Sequence, residues 1–293
     1  MFEKILGNQK IKERLEKLIH EQRILHSYLF IGIEGIGKRL IAKDFAKGIL
    51  CINEKKYCNN CKSCIEFNSN NNPDFSYIEP DGNNIKIEQI REMQKRIQEK
   101  PIISQKKVYI IDNADKMTKE AQNCLLKTLE EPPEFATIIL IGSNENAFLS
   151  TIKSRCMILH FMPISNEEIS NYLKLNHGIE NINKDILDTF EGSIGKAIKL
   201  KDKQEEYLKI KNIIDNLEKT DLIETINQSE ILYKSKEEIT EFLDYINILL
   251  LKKAKEQYKY TNCINIVENT KKRIRQNAEE VMCIVFLRLY MWE

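Results

Sequence analysis

The segment FIGIEGIGKRL, residues 30–40, has the composition of a phosphate-binding loop. Its loop residues are Gly32, Gly35, Gly37 and Lys38. In the pattern G-x-x-x-x-G-K, glycines turn backbone N–H groups toward phosphate oxygens and the lysine reaches the terminal phosphates. The pattern normally continues with a serine or threonine that binds magnesium, but this chain has Arg39. Arg39 could contact a phosphate directly, or it could fill the pocket and exclude nucleotide. Because it cannot bind magnesium, we expect a weakened or empty nucleotide site. A strand-to-helix turn without any ligand is the alternative.

A second group with potential chemistry follows the apolar residues VYII, 108–111. Asp112 stands where P-loop ATPases place a carboxylate that orients magnesium, and the next residue in those enzymes is usually a glutamate that activates water. Here the next residue is Asn113, whose amide cannot take a proton from water. The sequence therefore predicts a pocket that lacks a general base.

Four cysteines form the pattern C-x6-C-x2-C-x2-C, at Cys51, Cys58, Cys61 and Cys64. Two overlapping C-x2-C steps can place thiolates tetrahedrally around a zinc ion. A redox-active Cys-x-x-Cys pair is the alternative, but four cysteines in a chain expected in the cytoplasm favour a structural metal. We therefore predict one structural zinc in residues 51–64.

The elements that position these groups follow from the alternation of apolar runs and helical segments. Five buried strands are predicted at Ser27–Ile31, Phe75–Ile78, Val108–Ile111, Thr137–Ile141 and Met157–Phe161. Amphipathic stretches are predicted between them, including Ile85–Lys100 and Thr118–Pro133. In the second, Thr118 can cap the start of the helix and the Pro132-Pro133 pair stops it. Strands that alternate with helices predict a five-stranded parallel sheet covered on both faces, with ligands at the carboxyl ends of its strands.

The rest of the chain reads as helices without strands, including Lys236–Tyr258 and Ala278–Glu293. Three parts are predicted: an α/β nucleotide-binding-like domain at 1–162, a helical lid at 163–205 and a helical oligomerisation domain at 206–293. The net charge of +1 gives no global basic field for nucleic acid, so any DNA contact is expected to be local. The charged N-terminus and the absence of long apolar runs predict a cytoplasmic protein without a membrane partner.

Several segments, taken together and in this order, resemble one family. They are ILGNQKIKERL, LHSYLFIG, NPDFSYIEPDGNNIKIEQIREM, AQNCLLKTLEEPP and IKSRC. The chain resembles the clamp-loader subunits of bacterial DNA polymerase III, which are AAA+ proteins, and among them the delta-prime type. The resemblance covers residues 1 to about 200. It implies an AAA+ fold, a zinc module between the helix after the phosphate loop and the second strand, and a C-terminal collar domain.

The resemblance also implies roles for individual residues. Residues 5–9, ILGNQ, match the adenine-side segment of the nucleotide pocket, and Asn144 matches a polar sensor. Arg155, in Ser-Arg-Cys, matches an arginine that reaches a neighbouring subunit's ATP; without the motif it would be an ordinary surface charge. Gly195 stands where ATP-hydrolysing relatives have an arginine, which is a third loss after Arg39 and Asn113.

The implied function is a subunit of the polymerase holoenzyme in DNA replication, with little or no ATPase activity of its own. Its implied partners are the gamma/tau and delta subunits, and through the complex the sliding clamp and primed DNA. ATP or ADP is expected to bind weakly or not at all. The alternative is a motor subunit of the gamma/tau type that hydrolyses its own nucleotide despite the three substitutions.

Overall fold

The protein is described by a computed structural model that covers residues 1–54, 56–180, 182–219, 224, 227 and 239–275. The described residues form two compact units. The first contains residues 1–164 together with Ser193–Gly195, and the second contains residues 165–192 and the described residues from Lys196 onward. The predicted division into three domains at residues 162 and 205 remains a prediction.

The first unit is built on a five-stranded parallel sheet. Its strands are β1 (Ser27–Ile31), β2 (Phe75–Ile78), β3 (Lys107–Ile111), β4 (Ala136–Gly142) and β5 (Met157–His160), in the order β2-β3-β4-β1-β5. Each neighbouring pair is parallel, with Ile31 beside Gly142 and Ile111 beside Leu140 at the carboxyl ends. The predicted five-stranded parallel sheet is confirmed, and the segments that follow β1, β3, β4 and β5 start at one edge of it.

Helices cover both faces of this sheet because alternate strand residues point to opposite sides. Tyr28 and Phe30 belong to the core shared with α1 (Gln9–His20) and α2 (Lys38–Leu50). Leu29 and Ile31 belong to the core shared with α4 (Ile87–Ile97) and α5 (Lys119–Glu130). The remaining helices of the unit are the short α3 (Lys62–Asn68) and α6 (Ser150–Lys153).

The two helices predicted in this unit are confirmed in type but are shorter than their patterns. For α5, the side chain of Thr118 caps the first turn by accepting the N–H of Ala121 at 3.2 Å. The helix ends at Glu130, before Pro132 and Pro133, because proline cannot continue the hydrogen-bond ladder. This end of α5 is important for the site described below.

The second unit is helical in its described part. Its helices are α7 (Asn166–His177), α8 (Lys184–Thr189), α9 (Ile194–Leu200, whose first two residues group with the first unit), α10 (Gln204–Asp215), α11 (Ile239–Glu256) and α12 (Tyr260–Arg275). The helical pattern at Lys236–Tyr258 corresponds to α11, whereas the helix predicted at Ala278–Glu293 lies outside the described residues. Among the helices of the described ranges, none combines the length and apolar character required to span a bilayer.

Candidate phosphate loop, arginine and cysteine cluster

The phosphate loop connects β1 to α2 and contains the backbone geometry that its glycines permit. Gly35 and Gly37 have φ angles of 80° and 92°, which other residues adopt only with strain. Gly32 allows a close approach, since a Cβ atom there would lie 2.9 Å from the carbonyl oxygen of Phe161. The loop thus has the turn that the sequence predicted, with α2 beginning at Lys38.

Lys38 folds back over its own loop. Its ammonium group donates to the carbonyl oxygens of Gly32 at 2.6 Å and Ile33 at 2.7 Å, and the residue is only 8% exposed. Burial lowers the pKa of Lys38, while the carboxylates of Asp112 and other nearby acids oppose that shift. A phosphate in this loop would therefore have to displace at least part of these internal contacts.

Asp112 is occupied by groups of the protein itself. Its Oδ2 accepts a short hydrogen bond from the hydroxyl of Tyr77, and its Oδ1 accepts the N–H of Asn113 at 3.0 Å. The Nε atom of Arg39 lies 3.9 Å from the same Oδ2, and the guanidinium stacks 4.8 Å from the centroid of the Tyr77 ring. A guanidinium therefore lies close to the carboxylate that would orient magnesium in an active P-loop ATPase.

The residues after β3 and β4 are held together by Asp115. Its Oδ2 accepts the N–H of Ser143 at 3.0 Å, the hydroxyl of Ser143 at 2.8 Å and the N–H of Asn144 at 3.1 Å. The side chain of Asn144 accepts the N–H of Asn146 and caps the short turn that follows, so its carbonyl oxygen is used locally. Asn144 is exposed, and these contacts hold it at the carboxyl edge of the sheet.

Gly195 approaches the phosphate loop within the first unit. Its N–H donates to the carbonyl oxygen of Gly35 at 2.9 Å, and a Cβ atom at position 195 would lie 2.9 Å from the Cα of Gly35. An arginine at this position would require the loop or the segment to move, because real Cβ atoms do not approach backbone so closely. The local packing therefore accommodates a glycine at position 195 but not an arginine.

Asn8, in the predicted adenine-side segment 5–9, makes a two-point contact with the chain after β5. Its amide nitrogen donates to the carbonyl oxygen of Met162 at 3.1 Å, and its amide oxygen accepts the N–H of Met162 at 2.8 Å. The N-terminal segment is fixed beside the end of β5 in this way. Ile5 also lies beside the loop, 3.2 Å from the position of a Cβ on Gly37.

Arg155 lies in the turn between α6 and β5, and its side chain is 33% exposed. The Nη2 atom is 2.7 Å from Oε1 of Glu130, at the last residue of α5. The Nη1 atom donates to the carbonyl oxygen of Thr151 at 2.9 Å and makes a longer contact of 3.4 Å to the hydroxyl of Ser154. The guanidinium is therefore held in a defined position while part of it faces solvent.

The four cysteines of residues 51–64 come together between α2 and β2. Their four Sγ atoms lie within 4.8 Å of one another, with Cys51 at 3.6 Å from Cys58 and at 3.9 Å from Cys61. Tetrahedral zinc with Zn–S bonds of about 2.3 Å requires S···S separations of about 3.8 Å. The donor set and these separations fit one tetrahedral metal ion, with every position filled by a thiolate.

The environment of the cluster favours thiolate at one of its members. Burial opposes ionisation of Cys61, but hydrogen bonds from the backbone N–H groups of Cys64 and Ile52, and from neighbouring thiols, lower its pKa to about 6. The cluster is anchored to α2, whose C-terminal cap is Cys51. The ammonium of Lys47, on α2, donates to Asn59 and lies 4.7 Å from the ring centroid of Tyr57.

The chain is similar to known proteins of bacterial replication. The family model described as "DNA polymerase III, delta subunit" matches residues 7–165. The chain is 38% identical to the delta' subunit of DNA polymerase III from Bacillus subtilis strain 168 over 165 residues, which cover 56% of this chain and 50% of that protein. It is 34% identical to the tau/gamma subunit from Haemophilus influenzae over 174 residues, which cover 59% of this chain and 25% of that protein. The matches thus span half or less of these two relatives.

A solved structure supports the same fold. The crystal structure of a DNA polymerase III gamma subunit-related protein from Thermotoga maritima superposes with a TM-score of 0.51, at 16% sequence identity, and covers 94% of this chain and 98% of that one. At this identity the likeness concerns the fold alone. The predicted AAA+ fold class is confirmed: the parallel sheet, the cysteine cluster and helices in the described part of the C-terminal region are all present.

The structure brings together most of the residues that the sequence singled out. The loop residues, Asp112 and Gly195 lie near the carboxyl edge of the sheet, while Arg155 and the four cysteines lie at separate places in the first unit. The sequence analysis assigned no site role to Tyr77, Asp115 or Glu130. Tyr77 and Glu130 lie in segments quoted for the family resemblance, NPDFSYIEPDGNNIKIEQIREM and AQNCLLKTLEEPP, and Asp115 lies three residues after Asp112, but no local pattern pairs any of them with its partner.

Proposed function

The chain belongs to the DNA polymerase III delta subunit family of clamp-loader proteins, and on that premise we propose that it is a delta-prime-type subunit that helps to load the sliding clamp onto primed DNA. In this proposal the protein works in a hetero-oligomer with gamma/tau and delta subunits. It contributes an arginine to a neighbour's nucleotide site and does not hydrolyse ATP itself. A role at replicating DNA agrees with the cytoplasmic location that we predict.

The observation that carries this proposal is the state of Asp112. In an active site of this class, the aspartate and a loop hydroxyl hold magnesium, and a neighbouring glutamate acts on water. Here Asp112 is engaged by Tyr77 and Asn113, and Arg39 occupies the position of the hydroxyl residue. Asn113 cannot act as a base, so we expect this site to lack both magnesium ligation and proton transfer.

Arg155 supports the second half of the proposal. A guanidinium is always charged and offers several donors in a plane, so beside a γ-phosphate it stabilises the charge that develops during transfer. Arg155 is partly exposed and already oriented by Glu130 and Thr151, which suits a group that acts on a neighbour's nucleotide. Arginine fingers supplied in trans contribute roughly 10³ to 10⁵ in rate.

The cysteine cluster supports a structural zinc. Four thiolates fill a tetrahedral site and leave no open position for substrate, as expected of a structural rather than a catalytic metal. Zinc would be held by Cys51, Cys58, Cys61 and Cys64. It would stabilise the segment that joins α2 to β2, and we assign it no part in the chemistry.

The gamma/tau relatives are the specific reason to keep a second function open, since the H. influenzae subunit matches nearly as well as the B. subtilis delta' subunit. A motor subunit would hydrolyse ATP on its own. Robust turnover by the purified chain that disappears in the Lys38→Ala variant would support the motor function and contradict our proposal. We expect turnover no higher than that of the Lys38→Ala variant.

The proposal itself is tested in a complex reconstituted from this chain, its gamma/tau and delta subunits, the sliding clamp and primed DNA. The Arg155→Ala variant should fold and assemble normally while lowering DNA-dependent ATPase and clamp loading. A multi-site complex can lose less than the full effect of a finger, because its other sites continue to fire. Clamp loading at the unmodified rate by the Arg155→Ala complex would show that Arg155 is an ordinary surface charge.

A further inference from the structure

We propose that Glu130 is a positioning residue that orients the guanidinium of Arg155 for its action on a neighbouring subunit's nucleotide. The proposal rests on the proposed function, since it concerns the arginine that we expect to act in trans. Glu130 itself would touch neither the nucleotide nor the reacting atoms. Its role would be to fix the direction in which the arginine points before the neighbour's phosphate is bound.

The contacts of Arg155 define one orientation. Glu130 binds Nη2 at 2.7 Å, and the carbonyl oxygen of Thr151 binds Nη1 at 2.9 Å, so both terminal nitrogens are held from different elements. The backbone of Arg155 is also fixed, because its carbonyl oxygen accepts the hydroxyl of Ser27 on β1 at 2.6 Å. These contacts fix both the guanidinium and the backbone of Arg155, so its long side chain is held in one orientation.

Glu130 is attached to a rigid support. It is the last residue of α5, whose side chains Leu125 and Leu129 are buried in the core of the sheet. Gln122, earlier on α5, donates to the carbonyl oxygen of Ala147 and accepts the N–H of Leu149, so α5 is bound to the segment that leads to Arg155. Movement of Glu130 relative to Arg155 is restricted by these contacts.

The pair leaves the arginine able to bind phosphate. A guanidinium has five N–H donors, and the contacts to Glu130, Thr151 and Ser154 use three of them at most. The side chains of Arg155 and Glu130 are 33% and 50% exposed, so water screens their attraction and the pair adds little to folding stability. The functional effect of Glu130 is then expected in orientation, where small misplacement costs rate steeply.

A competing effect has the opposite sign. A carboxylate next to the guanidinium reduces its positive field and repels an incoming phosphate. If this effect were larger than orientation, removal of the charge at position 130 would speed the reaction. The two effects can therefore be separated by the direction of change and by a variant that keeps the oxygen acceptor without the charge.

The test uses the reconstituted complex with primed DNA and compares Glu130→Ala, Glu130→Gln and the matched control Glu131→Ala. The control removes the same charge from the adjacent exposed residue. We expect Glu130→Ala to lower kcat of the DNA-dependent ATPase about tenfold with little change in the KM for ATP. Glu130→Gln should recover most of this loss because its amide oxygen still accepts from Nη2. Glu131→Ala should retain the unmodified rate.

A double-variant cycle distinguishes positioning from a structural role. In complexes that already carry Arg155→Ala, the further change Glu130→Ala should have no additional effect, because the group that it orients is gone. If Glu130→Ala lowered the ATPase rate equally with and without Arg155→Ala, the proposal would be overturned. An increased ATPase rate in Glu130→Ala would also overturn it. So would an unchanged rate in Glu130→Ala when Arg155→Ala is impaired. No effect of Arg155→Ala itself would instead refute the proposed function. Melting curves and assembly of each variant confirm that rates refer to folded complexes.

Discussion

Tyr77 and Asp112 form the contact that most alters the character of the pocket. Burial and the hydrogen bond to Asp112 raise the pKa of Tyr77 well above its ordinary value, so the phenol keeps its proton and donates at neutral pH. The aspartate is thereby paired inside the protein rather than left for a cation. In our proposal, the hydroxyl of Tyr77 on the neighbouring strand competes with magnesium for this carboxylate.

The Tyr77→Phe variant tests this pairing. The substitution keeps the ring but removes the donor, and hydrogen bonds to charged groups contribute about 1.5–3 kcal/mol when their partner is left buried. Because Tyr77 is only half-buried and Arg39 remains near Asp112, we expect the free energy of unfolding to fall by about 1–2 kcal/mol. Urea denaturation followed by circular dichroism measures the change.

The control for this measurement is Tyr258→Phe, which removes a hydroxyl from a side chain that is 85% exposed. Its effect should stay within about 0.5 kcal/mol, as for most surface substitutions. Equal stabilities of Tyr77→Phe and the unmodified protein would mean that water replaces the phenol at no cost and that the pairing is incidental.

Helix α2 connects two of the candidate sites. It begins at Lys38 in the phosphate loop and is capped at its other end by Cys51, the first of the four cysteines. Most of its inward side chains are buried, including Ile41 and Phe45, so the helix is held by the core and not by the metal. Loss of a metal should therefore loosen the segment after α2 without unfolding the sheet.

Metal analysis and chelation test the cysteine cluster. We expect about one equivalent of zinc per chain, because four thiolates satisfy one tetrahedral ion. After chelation under reducing conditions, amide hydrogen exchange should increase in residues 51–64, while β1 and β4 keep their protection.

The Cys124→Ser variant, in which a cysteine outside the cluster is changed, should keep its zinc and serves as the control. A disulfide among the four cysteines in protein kept reduced would contradict the metal site. Global unfolding on chelation would show that the metal supports the whole unit and not one segment.

The elements were predictable where a local pattern determines them. The runs SYLFI and FSYI end at Ile31 and Ile78 as predicted, because a parallel strand reads as a short apolar run. The prediction that both are buried holds for SYLFI but is wrong for FSYI, which is only half-buried because β2 lies at the edge of the sheet. Thr118 was recognisable as the cap of α5 for a similarly local reason. The segment Ile85–Lys100 was too long at both ends, because its helical periodicity continues beyond α4, which spans Ile87–Ile97.

The polar contacts of the candidate site were not predictable from local patterns. The bond from Tyr77 to Asp112 joins residues 35 apart, and the bonds from Asn8 to Met162 join residues 154 apart. Such partners depend on strand order, in which β2 lies beside β3 and the N-terminal segment meets the end of β5. The cysteines were the exception, since their spacing alone brings the thiols together.

The assembled protein, in our proposal, separates phosphate binding from catalysis. In this proposal the chain lacks magnesium ligation at Arg39, a base at Asn113 and a sensor arginine at Gly195, and the close approach of Gly195 to Gly35 leaves no space for a larger residue there. The family resemblance instead gives the catalytic task to Arg155, at a different place in the first unit. In this proposal the chain has little ATPase activity alone, and it contributes to catalysis only beside a neighbouring subunit.

The Arg155→Lys variant in the reconstituted complex tests whether the neighbour needs the planar group or only its charge. Lysine carries a single point charge, so it cannot contact Glu130 and Thr151 through two nitrogens and still present donors to a phosphate. We expect the DNA-dependent ATPase of this complex to stay within about threefold of the Arg155→Ala complex, and well below the unmodified rate. The control is Arg23→Lys, which makes the same change at an exposed arginine paired with Glu21 and should have no effect. Full activity of the Arg155→Lys complex would mean that long-range charge is sufficient, and the oriented contact that we infer at Arg155 would then be wrong.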